Sequence, residues 1–260
     1  MTFTGQIRLP FVTADEAVEL FNPGGSFPCL LVCDHASADV PPEFGSLGLA
    51  VEDLRRHIGV DIGIAQVVRA LAVLLDAPAV LARQSRLLID CNRWIADPES
   101  IACESDGIRV PANRQLDQAA RSERQDRFFW PYHRAINKAL ETMQARHPAP
   151  LFLALHSCSR QLGAETRNID GGTFWHESNK MSSALIDVLS RERALVLADN
   201  APYSGFRGTS FTLDYHTWGT GLDACGFEIV NDEILTPQDQ ARWTARLAEA
   251  ILEARKGTTC

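Results

Sequence analysis

The residues of this sequence best placed to do chemistry are polar side chains at the ends of apolar runs. His35 follows the run 30–33 through Asp34, and His156-Ser157 follows the run 151–155. Asp90-Cys91-Asn92-Arg93 closes the run 87–89, and Glu228 interrupts 227–230. A catalytic zinc commonly takes two imidazoles and one carboxylate and keeps an open position for water. A guanidinium forks onto a carboxylate through two parallel hydrogen bonds, and a neighbouring amide can fix its orientation. A carboxylate inside an apolar strand is costly unless it is paired or functional. These are the parts of a hydrolytic zinc site. A lone histidine is more often a hydrogen-bonded structural imidazole, but two in equivalent strand-end positions strengthen the metal reading. The carboxylate ligand stays open among Asp34, Asp39 and Asp61, and Asp61 could equally cap the helix that follows it.

These side chains can meet only if the runs that carry them are neighbouring strands. In α/β proteins the carboxyl ends of such strands converge on one crevice. The patterning predicts strands at 29–33, 79–82, 87–90, 151–155, 194–197 and 227–230. Helical spacing runs from Asp61 to Asp76, over 177–193, and over 117–146, where Pro131 should kink or divide the helix. Thr236-Pro237 signals the start of a last helix as N-cap and first position. Residues 97–113 read as a long polar loop and 199–221 as a glycine-rich segment. This alternation predicts an α/β fold, with one domain over 1–260 and a mixed, mostly parallel sheet covered by helices on both faces.

Composition narrows the partners. A net charge of -8 argues against a nucleic-acid backbone, and an anionic substrate needs local arginines, for which Arg93 and Arg207 are candidates. The seven cysteines include no C-x-x-C pair and read as buried, reduced thiols. The first eight residues lack a secretory pattern, and no apolar stretch is long enough to span a bilayer, so no membrane association and a cytoplasmic location are expected. The usual nucleotide and serine-hydrolase motifs are missing.

Taken in order, several segments resemble the N-formylglutamate amidohydrolase family. They are Cys33-Asp34-His35-Ala36-Ser37, Val60-Asp61-Ile62-Gly63, Ser85 to Arg93, Glu104-Ser105-Asp106-Gly107, Pro131-Tyr132-His133, Leu155-His156-Ser157, Asp199 to Gly205, and Gly226-Phe227-Glu228-Ile229. The resemblance implies a fold like that of zinc carboxypeptidases. In those enzymes a His-x-x-Glu pair and a later His-Ser hold the metal, an Asn-Arg pair grips the substrate carboxylate, and a late glutamate is the general base. His35, His156, Asn92, Arg93 and Glu228 fit those positions, but Ala38 stands where the ligand glutamate would be. The resemblance therefore points to Asp61 as the third ligand. It implies zinc, or another divalent metal, and hydrolysis of the N-acyl amide of a small acidic amino acid such as N-formyl-L-glutamate. Glu228 would be the general base, Asn92 and Arg93 the anchor, and Arg207 and His216 further substrate contacts. The rival readings are an amidohydrolase or peptidase of the same scaffold acting on other N-acyl amino acids or short peptides, and a non-catalytic binder of dicarboxylates.

Overall fold

In the computed structural model, which describes residues 12–163, 165–208 and 210–257, most of the apolar runs become strands of one eight-stranded sheet. In chain order the strands are β1 (Val12–Ala14), β2 (Val18–Phe21), β3 (Cys29–Cys33), β4 (Ala79–Ala82), β5 (Glu104–Ser105), β6 (Ile108–Arg109), β7 (Leu151–Cys158), β8 (Gln161–Leu162), β9 (Glu165–Thr166), β10 (Gly171–Phe174), β11 (Leu197–Ala198) and β12 (Asp223–Val230). The sheet order is β1-β2-β4-β3-β7-β12-β10-β11, while β5-β6 and β8-β9 form small hairpins outside it. Its centre, β4-β3-β7-β12, is parallel, and antiparallel pairings flank it on both sides. The mixed sheet expected from the alternation of elements is thus present.

The helices are α1 (Val51–Leu54), α2 (Ile64–Leu75), α3 (Gln118–Arg124), α4 (Trp130–Gln144), α5 (Lys180–Leu189), α6 (Phe211–Thr217) and α7 (Pro237–Gly257). Side chains alternate across the pleat, so each central strand feeds two cores. Leu31, Cys33, Leu153, Leu155 and Phe227 pack under α2, α5 and α7, where Trp243 is fully buried. Leu30, Val32, Phe152 and Ala154 pack on the opposite face with Phe129, Ile136 and Phe211, from the α3–α4 segment and α6. Burial on both faces explains why β3 and β7 read as continuous apolar runs. The β7–β12 register sets Glu228 directly beside His156, on the face that Ala154 shares.

Pro131 divides its helix as expected. A π-helical turn at Gln125–Phe129 separates α3 from α4, and the proline takes the first turn of α4, where its missing N–H costs little. Thr236 caps α7 by accepting from the Asp239 amide at 3.2 Å. The run 87–89 is not a strand. It is a buried turn whose backbone is satisfied by side chains: Asn113 Nδ2 donates to the Leu87 carbonyl at 2.8 Å and Arg124 Nη1 to that of Leu88 at 2.9 Å. Strands β1, β2 and β10 and helix α6 were not expected. Helix 177–193 is shorter than anticipated, and the strand at 194–197 lies instead at β11. The six described cysteines are free, and only Cys103 among them is exposed. No described helix is long and apolar enough to cross a membrane. Residues 1–8 and Cys260 lie outside the described residues.

Candidate active site

Three chain segments meet at the carboxyl end of β3 and β7. His35 lies just beyond β3, His156 lies in β7, and Asp61 lies in the turn before α2. The helix N-cap is Gly63, so Asp61 is not the cap. Its backbone N–H donates to the His35 carbonyl at 3.0 Å, and Ser157 Oγ donates to the Ile62 carbonyl at 2.8 Å, which ties the turn to both strands. Asp61 Oδ2 then faces His35 Nδ1 at 3.3 Å, His156 Nδ1 at 3.0 Å and the Ser157 amide at 3.2 Å. One ligand atom from each of His35, Asp61 and His156 falls within 4.8 Å of the other two, so the group could hold a metal ion.

The remaining ring nitrogens face carboxylates. His35 Nε2 is hydrogen-bonded to Asp90 Oδ1 at 2.7 Å, and His156 Nε2 lies 3.0 Å from Asp34 Oδ2 as a close ion-pair contact without hydrogen-bond alignment. A carboxylate on the far nitrogen fixes the tautomer and turns the near nitrogen's lone pair toward a metal. Asp90 is steadied by Arg86, whose Nη2 donates to Oδ2 at 2.7 Å, and by the Asn92 amide at 2.8 Å. Asp34 accepts from Thr212 Oγ1 at 2.6 Å. The sequence reading did not assign these outer partners. Its one available signal was the i,i+4 spacing of Arg86 and Asp90.

Buried Asp34, Asp61, Asp90 and Glu228 surround two imidazoles and the Arg86 guanidinium, an acidic excess that suits a divalent cation. Burial alone would raise the Asp61 carboxyl, but the two imidazoles opposite it prevail and hold it well below the usual range. Burial works against a charged His156, yet Asp34 and Asp61 carry its pKa well above the ordinary value. Glu228 behaves differently. Burial, reinforced by Asp61, raises it to about 7, and its Oε2 has no partner among the described residues.

His35, Asp61, His156 and Glu228 line a cleft of about 210 Å³. Arg93 and Arg207 also line it, and neither has a carboxylate partner among the described residues. Asn92 lies in the wall, its Oδ1 accepting from Ser210 Oγ at 3.1 Å and the Thr212 amide at 3.0 Å. The structure does not bring His216 to the cleft. Its buried ring sits instead between His133, at 2.9 Å, and Asn137, at 2.8 Å.

The sequence model of the N-formylglutamate amidohydrolase family matches residues 27–235. No curated protein matches the chain significantly. Among solved structures, gene product Atu2144 from Agrobacterium tumefaciens is similar with a TM-score of 0.89 at 29% identity, covering 94% of this chain and 96% of that one. The N-formylglutamate amidohydrolase from Ralstonia eutropha JMP134 has the same fold, with a TM-score of 0.74 at 21% identity over 93% of this chain and 99% of that one. The family match runs from the segment before β3 to the one after β12 and so takes in every element that builds the cleft. The chain belongs to the N-formylglutamate amidohydrolase family and is an amidohydrolase acting on amide C–N bonds.

Proposed function

We propose that this amidohydrolase is zinc-dependent and hydrolyses the N-acyl amide of a small acidic amino acid, with N-formyl-L-glutamate as the leading substrate. The observation that carries the reading is the arrangement of His35 and His156. Each turns Nδ1 toward Asp61 and sets Nε2 against a second carboxylate, beside a buried glutamate and two arginines that have no carboxylate partner among the described residues. His35, Asp61 and His156 would hold zinc, or another divalent ion with similar ligand preferences. Zinc supplies a Lewis acid and lowers the pKa of water.

The protein's own groups do the rest. Glu228 takes a proton from the attacking water as its oxygen adds to the acyl carbon, and delivers it to the nitrogen as the C–N bond breaks. The products are formate and the free amino acid. A carboxyl near neutrality can both accept and release that proton, and burial places Glu228 in this range. Arg93 and Arg207 engage substrate carboxylates, and Asn92 holds the Ser210–Thr212 wall against them.

The test is formate release from N-formyl-L-glutamate, beside acetylated and non-acidic analogues, by metal-loaded wild-type and Glu228→Gln proteins. The substitution keeps shape and metal content while kcat falls by roughly 10²–10⁴, the usual worth of a general base. A fully metallated, fully active Glu228→Gln protein would remove the base assignment. Faster turnover of non-acidic substrates would remove the substrate assignment.

A further inference from the structure

One buried cation lies behind the cleft wall and takes no part in the chemistry described so far. Arg167 is 8% exposed and has no carboxylate partner among the described residues. An unpaired buried charge is costly, and neutral acceptors only partly offset the cost. Here the acceptors are the Ser159 carbonyl, to which Nη1 donates at 3.0 Å, and the Tyr203 phenol oxygen, to which Nη2 donates at 3.1 Å. The guanidinium also lies over the Tyr203 ring, its central carbon 5.0 Å from the centroid. Tyr203 lines the cleft with His35, His156 and Glu228.

The loop does not need Arg167 to hold its course. Asn200 Oδ1 accepts from the Trp175 amide at 3.1 Å and the Gly205 amide at 3.0 Å, and the Ala201 amide donates to the Thr173 carbonyl at 3.1 Å. What Arg167 determines is the phenol. With a guanidinium N–H on the oxygen, the phenolic proton must point elsewhere, and the neighbouring positive charge makes it a stronger donor. Tyr203 is 41% exposed overall, and desolvation together with Glu228 raises its pKa against the lowering effect of Arg167, so the phenol stays protonated.

We infer that Tyr203 is a catalytic residue, donating a hydrogen bond to the acyl oxygen as negative charge grows there, and that Arg167 is the positioning residue that aims it. The inference rests on the amidohydrolase reading given above. It is tested with Tyr203→Phe, Arg167→Met, Arg167→Lys and the Tyr203→Phe/Arg167→Met double variant, all metal-loaded, on N-formyl-L-glutamate.

Loss of one hydrogen bond to a charged group should lower kcat roughly 10–100-fold in Tyr203→Phe and Arg167→Met. Arg167→Lys should fall between wild type and Arg167→Met, because lysine keeps the charge but not the two-pronged fork. Once the phenol is gone, Arg167→Met should add little, so the double variant resembles Tyr203→Phe alone. Calorimetric affinity for L-glutamate should stay unchanged throughout, since the phenol acts on charge present only in the transition state. Losses that multiply in the double variant, an unchanged kcat in Tyr203→Phe, or an equal loss of glutamate affinity would each overturn the inference. Tyr203→Phe alone decides the matter if Arg167→Met does not fold. Wild-type protein inactive on every N-acyl amino acid would instead bring down the underlying reading, and this inference with it.

Discussion

Asp61 Oδ2 faces two imidazole nitrogens and a backbone amide, and each imidazole is backed by its own second carboxylate. The directions of both rings are therefore fixed from behind, by Asp90 and Asp34. Replacing either with asparagine keeps the volume but weakens the hold on the ring, and metal affinity should fall about 10–100-fold, the usual worth of such outer partners. His156→Ala should empty the site. Metal content after dialysis against a graded chelator series measures both, and wild-type retention in Asp90→Asn and Asp34→Asn would show that the carboxylates do not orient the rings. His35, His156 and Glu228 were legible in the sequence because a polar residue ending or interrupting an apolar run is conspicuous. The work of Asp90 was not, because its partner His35 lies 55 residues away and only the fold joins them.

At the level of elements, local pattern identified what is decided locally and missed what distant side chains decide. Helices α2 and α7 and the central strands carry their own periodicity and caps. The run 87–89 has a strand's composition, but Asn113 and Arg124 supply its hydrogen bonds from outside the run, and no pattern inside it reports that. Strand β10 begins with Gly171-Gly172, which reads as a turn, yet the glycine is needed for close approach. A Cβ on Gly172 would lie 2.1 Å from the Ala201 carbonyl oxygen and 2.9 Å from that of Ala198. Both contacts are backbone, so relief requires the whole 198–203 segment to move, and Tyr203 with it. Gly172→Ala should therefore cost roughly 1–3 kcal/mol of stability, as overpacking does. It should also lower kcat at temperatures where the protein stays folded. Full activity with an unshifted melting curve would show that the segment yields freely.

The whole molecule has two cores, one on each face of the sheet, and the α4–α6 side of one holds a paired set of imidazoles. His133 Nε2 donates to the Cys91 carbonyl at 2.9 Å, and its Nδ1 faces His216 Nε2 at 2.9 Å. Burial pushes His133 down to about 4 and His216 to about 3; Asp34 opposes this in both, the bond to the Cys91 carbonyl opposes it in His133, and His133 further disfavours charging of His216. Folded imidazoles thus stay neutral where unfolded ones, titrating near 6.5, take up protons. The unfolded state binds more protons below that value, so stability is full above about pH 6.5 and is lost as pH falls toward 4. At pH 5 the loss should be roughly 2 kcal/mol per imidazole. Urea titrations at pH 7.5 and 5 measure it, and a double replacement of both histidines by glutamine should flatten the difference; an undiminished slope would assign the acid lability elsewhere. The Asp61 junction has a further consequence at this scale. It closes loops of 26 residues to His35 and 95 residues to His156, and both closures hold together only when β3 and β7 lie side by side. A cation seated there would bind only the finished topology, so its occupancy would certify that folding is complete, and withholding it would leave the two halves of the sheet without their shared lock.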